Sequence, residues 1–191
     1  MSAGTGAITL GSNATSFNNV GTIVLRDETG SFSAGTINAS GALNLPSTSG
    51  VSTGVVSQNG NPLLHTFGTQ NFFAGTSAGN FTMAGGFNTA SGHQALFSNT
   101  AGAGNSARGY PGPVSNTTGN ENTATGYLAL AFNTTGSANT ASGYHALHNN
   151  TTGVHNAAHG FQALYNNTTG AGNTASGFQA LLSNATADRN T

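Results

Sequence analysis

The sequence predicts an all-β fold. We expect a repeat-built β-roll or β-solenoid of 17-residue units, assembled as a parallel intertwined homotrimer and preceded by a β-rich N-terminal region. Three observations predict it. From residue 71 the chain repeats every 17 residues without insertion or deletion. The consensus unit holds two glycines, which oppose helix. The period is also far shorter than the roughly 33–47 residues that helical-pair repeats need.

The consensus is Asn-Thr-Ala-Ser-Gly-aromatic-x-Ala-Leu-x-x-Asn-Thr-Thr-Gly-x-x. The first column is Asn in all seven units: Asn71, Asn88, Asn105, Asn122, Asn139, Asn156 and Asn173. The fifth is Gly in all seven: Gly75, Gly92, Gly109, Gly126, Gly143, Gly160 and Gly177. The ninth is Leu in five: Leu96, Leu130, Leu147, Leu164 and Leu181. From the second unit on, the sixth is Tyr, Phe or His. Asn-x-Ala-x-Gly alternates like a short strand with small residues on one face. Asn-Thr-Thr-Gly reads as a turn, because Asn and Gly tolerate unusual backbone angles. Each unit is therefore expected to form one coil of two short strands and two turns. Successive coils advance by about 4.8 Å, the spacing of hydrogen-bonded strands.

A 17-residue coil encloses little volume, and its inward positions read as Ala and Gly. The leucine and the aromatic residue then form a leftover apolar ladder along one face. Large exposed apolar patches mark interfaces, so the ladder predicts association of identical chains. The alternative is a thin single-chain solenoid with the ladder inside.

Residues 1–70 lack the period and are read as a separate β-rich region ahead of the repeats at 71–191. Short β-favouring runs appear at Ala7-Ile8-Thr9-Leu10, Gly21-Thr22-Ile23-Val24-Leu25 and Thr36-Ile37-Asn38-Ala39. Pro46 and Pro62 mark loops, and residues 48–54 read as a linker. The start, MSAGTGAITL, has no basic segment followed by a long apolar run. The chain stops two letters into an eighth unit, at Asn190-Thr191. The expectation is a stretch of a longer protein, with signal and anchor elsewhere.

Composition excludes several functions. Charged residues make up 4% of the chain, against roughly 25% in ordinary domains. Three scattered arginines, Arg26, Arg108 and Arg189, and no lysine cannot release counterions from a phosphate backbone, so no nucleic-acid partner is expected. No apolar run approaches the roughly 20 residues of a spanning helix, so no membrane insertion is expected in this segment. The absence of cysteine removes disulfides and thiolate metal sites.

No catalytic, cofactor or metal site is expected. The four acids are Asp27, Glu28, Glu121 and Asp188. Asp27 and Glu28 are adjacent and would face opposite ways on a strand, so they fit a turn at Arg26-Asp27-Glu28-Thr29-Gly30 better than a glycosidase pair. A P-loop needs a lysine. His93, His145, His148, His155 and His159 occupy unit positions 6, 7, 10, 17 and 4, so they form no repeated ligand column. Sequons such as Asn116-Thr117-Thr118 and Asn150-Thr151-Thr152 follow from the turn. The threonine ladder at Thr117, Thr134, Thr151 and Thr168 is expected to bond from coil to coil rather than to order water. In unit 105–121, Pro111 and Pro113 break the pattern, which predicts a local bulge or outward loop.

The repeat Asn-Thr-Ala-Ser-Gly resembles the Asn-Ser-Val-Ala-Ile-Gly motif of trimeric autotransporter adhesin heads of the YadA-like type. The half-unit Ala-Leu-x-x-Asn-Thr-Thr-Gly looks more like bacterial and phage tail-fibre-like repeats. Residues 24–37 are similar to an Arg-Asp-x-x-Gly-x-Phe-Ser-Ala-Gly-Thr-Ile segment of such proteins. The resemblance implies a non-enzymatic structural or adhesive segment of an extracellular trimeric fibre, on a cell surface or a virion or tail-like particle. Its partners are then itself, as a homotrimer, and a surface glycan or protein receptor. Two alternatives stand beside it: a self-assembling filament or matrix protein without a receptor, and an ice- or glycan-binding solenoid.

Overall fold

A computed structural model describes residues 55–58, 61–110 and 115–191. The sequence expectations for residues 1–54, including the early β runs, the Asp27-Glu28 turn and the linker, lie outside the described residues. So does the bulge expected at Pro111 to Pro113.

The described residues contain nine strands and no helix, in one sheet ordered as in the chain. Strands β1 (Val56–Gln58) and β2 (Asn61–His65) form an antiparallel hairpin, and β2 pairs antiparallel with β3 (Phe72–Ala74). From β3 onward all pairing is parallel: β4 (Thr89–Ser91), β5 (Ser106–Arg108), β6 (Thr123–Thr125), β7 (Thr140–Ser142), β8 (Ala157–His159) and β9 (Thr174–Ser176). Every parallel step joins residues 17 apart, as in Thr123 to Thr140 and Ala124 to Ala141. The repeat units therefore coil into a β-solenoid.

Each coil carries one three-residue strand, not the two expected. The reason lies in the backbone of the second half-unit. Position 7 is left-handed in Gln94, Leu128, His145, Gln162 and Gln179, with φ of 53–57°. Position 9 is left-handed in Leu96, Leu130, Leu147, Leu164 and Leu181, with φ of 49–56°. Alternating left-handed residues curl the chain and cannot extend it. A left-handed leucine costs about 1–2 kcal/mol, and burying its side chain contributes about 1.5–3 kcal/mol. The burial compensates for the strain.

The core is a thin column. Inward Ala90, Ala107, Ala124, Ala141, Ala158 and Ala175 at position 3 face the position-8 alanines and the position-9 leucines. Leu96, Leu130, Leu147 and Leu164 are fully enclosed by their own chain. The first unit solves the same space differently. It has Phe73 where the others have Ala and Gly79 where five of the other six have Leu, and a Cβ on Gly79 would lie 2.7 Å from the Phe73 ring. The buried core falls into two clusters, from Phe73 to Ala107 and from Ala124 to Ala175.

Two further columns form a polar spine inside the coil. At position 1, Asn139 Nδ2 donates to Gly153 O at 2.8 Å and Asn122 Oδ1 at 3.2 Å. Its own Oδ1 accepts from Asn156 N at 3.0 Å. At position 12, Asn99, Asn116, Asn133, Asn150 and Asn167 pass side-chain bonds along the axis, as in Asn133 Nδ2 to Asn116 Oδ1 at 2.8 Å. Buried amides are tolerated because nearly every donor and acceptor is met. The N-terminal end is closed by the hairpin. His65 Nε2 bonds to Ala78 O at 2.9 Å, and its ring stacks on Phe81.

Candidate interaction surface

The sequence-predicted repeat residues divide between structural roles. Asn88, Asn122, Asn139, Asn156 and Asn173 are buried in the amide spine. Gly92, Gly126, Gly143, Gly160 and Gly177 hold φ between 125 and 133°. A Cβ on Gly143 would lie 2.5 Å from Gly160 O, so this column must stay bare for the next coil to approach. The leucines Leu96, Leu130, Leu147 and Leu164 are internal, and Leu181 is half-buried at the last coil. The predicted leftover ladder of leucine and aromatic residues is therefore split: leucine inside, aromatics outside.

The aromatic column at position 6 is continuous. His93, Tyr110, Tyr127, Tyr144, Phe161 and Phe178 follow one another with ring centroids 5.1–6.2 Å apart. From Tyr127 to Phe178 the ring planes lie within 10° of each other. That is offset stacking, so each ring overlaps the next like a shingle and leaves part of one face bare. Tyr110, Tyr127, Tyr144, Phe161 and Phe178 remain 41–72% exposed. The column points outward because Gly at position 5, with its positive φ, turns the chain away from the sheet.

The histidines gather more than their column positions suggested. His145 stacks on Tyr144 at 4.1 Å and on His148 at 4.5 Å, and His148 stacks on Tyr165 at 5.0 Å. Both ring nitrogens of His145 are buried without a hydrogen-bond partner. Burial, together with the neighbouring His148, holds the His145 imidazole below its ordinary value. Burial likewise lowers that of His65, against an opposing bond to Ala78. Among the described residues no three His, Cys, Asp or Glu side chains come together as a metal-binding group. Sequence spacing gave no sign of the His145–His148 stack, because the turn that joins positions 7 and 10 is not helical.

The threonines separate into two kinds. At position 13, Thr117 Oγ1 donates to Thr134 O at 3.1 Å, and Thr134 and Thr151 repeat the bond to Thr151 O and Thr168 O at 3.0 Å. This is the coil-to-coil ladder expected from sequence. At positions 2 and 4 the hydroxyls point outward from the sheet. Ser106, Thr123, Thr125, Thr140 and Ser142 make no side-chain hydrogen bond among the described residues. The sequons belong to the spine. Asn116 Nδ2 is held by Asn99 and Gly119, and Asn150 Nδ2 by Asn133 and Gly153. Both are buried in the folded chain.

Among the described residues no helix is long and apolar enough to cross a membrane. Comparison of the chain with protein-family models, with curated proteins and with solved structures finds no match in any of the three.

Proposed function

We propose that this chain is a non-enzymatic structural and adhesive segment of an extracellular fibre. In this reading it associates as a parallel homotrimer and contributes to recognition of a cell surface. The observation that carries the reading is the exposed aromatic column, which runs along the coil axis.

An aromatic side chain buries about 150–250 Å² when enclosed, so the five exposed rings of the column leave roughly 500 Å² bare per chain. Exposed apolar surface of that extent is often an interaction site. In a parallel trimer each chain would divide this surface between two neighbours. The rigid coil then acts as a shaft, and three copies of each surface site multiply weak contacts into avidity.

Native mass by light scattering tests this. A mass near three times 18.8 kDa is expected, and Tyr127→Ser with Tyr144→Ser should shift it towards one chain while leaving the circular dichroism intact. A parent chain that stays monomeric at high micromolar concentration would sink the trimer and favour a single-chain rod.

A further inference from the structure

We infer that the outer face of strands β5 to β7 is a binding site for a carboxylated, uronate-containing polysaccharide. The inference goes beyond the fibre reading and stands whether one chain or three are present.

The face is built by register. Parallel pairing without a shift places Ser106, Thr123 and Thr140 in one column and Arg108, Thr125 and Ser142 in the next. Neighbouring hydroxyls are about 4.8 Å apart between strands and about 6.6 Å apart along a strand. None of these side chains has a hydrogen-bond partner within the described chain. The contrast with position 13 is informative, because threonines there are fully engaged by the next coil. The fold therefore uses one threonine column for itself and leaves the other open.

The chemistry of the ligand follows from what the face holds. Serine and threonine hydroxyls both donate and accept, which matches sugar hydroxyls, since these also do both. Water competes for such groups, so an anchor is needed. Arg108 supplies it: its side chain is exposed and has no partner among the described residues. A guanidinium pairs a carboxylate with two parallel bonds. The described acids do not oppose an anion there, because Glu121 and Asp188 sit at unit positions 17 and 16, off the strands. An ice surface is a poorer fit. Ice requires an even plane, and Arg108 projects from this one, as the exposed His159 does from β8 beside it.

The test is calorimetric titration of the whole chain with oligogalacturonate in about 0.15 M salt, where charges more than roughly 8 Å apart are screened. Saturable binding is expected. Arg108→Gln should weaken it about tenfold, since a charge-assisted bond is lost. Thr123→Val with Thr140→Val should weaken it several-fold with an unchanged melting temperature, because those hydroxyls hold nothing in the chain. No saturable binding would overturn the inference. Binding that vanishes with salt and ignores the valine pair would also overturn it, as adsorption of a polyanion. Thermal hysteresis without glycan binding would overturn it in favour of an ice-facing sheet. Native mass recorded on the same samples keeps a failure here distinct from a failure of the trimer.

Discussion

Replacing Asn139 by Asp changes one atom in the middle of the amide spine, and the structure gives the consequence. Asn139 is fully buried. Its Oδ1 accepts from Asn156 N and from Asn156 Nδ2 at 3.1 Å, and a carboxylate would keep both. Its Nδ2, however, donates to Gly153 O and Asn122 Oδ1. In the variant an oxygen would face two acceptors inside a closed coil. Two lost bonds and a buried charge together cost about 3–5 kcal/mol at neutral pH. That is a fall of roughly 10 °C in melting temperature for a fold of this size. The carboxyl would respond by holding its proton, so its pKa in the folded chain rises above the unfolded value of about 3.9. A raised folded pKa means that the folded state binds the proton more tightly. The cost is then smallest in acid, grows as the pH climbs from about 4 through the folded pKa, and levels off above it. Thermal unfolding followed by far-ultraviolet circular dichroism, at pH 4 and pH 7, reads both effects. Asn166→Asp is the control, because Asn166 is exposed and lies outside both spine columns. Equal losses for the two variants, or no recovery of Asn139→Asp in acid, would refute the spine as a source of stability.

Two other outcomes follow from the same geometry. Gly143→Ala should lower stability by about 3 kcal/mol or more, because its φ of 133° suits only glycine and its Cβ would press on the carbonyl of Gly160; a melting temperature within 2 °C of the parent would contradict it. For His145 and His65, the folded pKa lies below the ordinary 6.5, so the unfolded chain takes up protons first. Stability is full above about pH 6.5 and is lost as the pH falls from there to the depressed folded values. His145→Gln, which installs the residue found at position 7 in Gln94, Gln162 and Gln179, should flatten part of that slope. An unchanged slope between pH 7 and pH 5 would show that the His145 stack does not titrate as its burial requires.

Much of this architecture was legible in the chain. The 17-residue period, the parallel register and the inward alanines at position 3 follow from spacing and alternation alone. The second half-unit was not legible. Leucine and glutamine at positive φ are uncommon in general, and nothing in Gln-Ala-Leu announces two left-handed residues. The side on which leucine lies was encoded more subtly, in the paired exchange of Phe73 and Gly79 for Ala and Leu. The buried asparagines were read as strand starts and turn residues, because asparagine is common there. Their uniformity was the missed signal: a turn accepts Asp, Ser or Gly in place of Asn, whereas a spine that donates and accepts at once does not. The aromatic column was visible in sequence, but its shingled exposure depends on the turn made at Gly143 and its equivalents.

Each coil hands the same hydrogen bonds to the next, with Asn122, Asn139 and Asn156 interchangeable in the chain of donors. Length is thereby uncoupled from cross-section. Duplicating or deleting 51 nucleotides of the coding sequence (one unit) would lengthen or shorten the rod by about 4.8 Å and leave every other contact as it was. Unequal recombination between near-identical units supplies such changes readily. Reach is then a quantity that a population of genes can adjust in single steps, as a ruler is cut, with no new packing to be found each time.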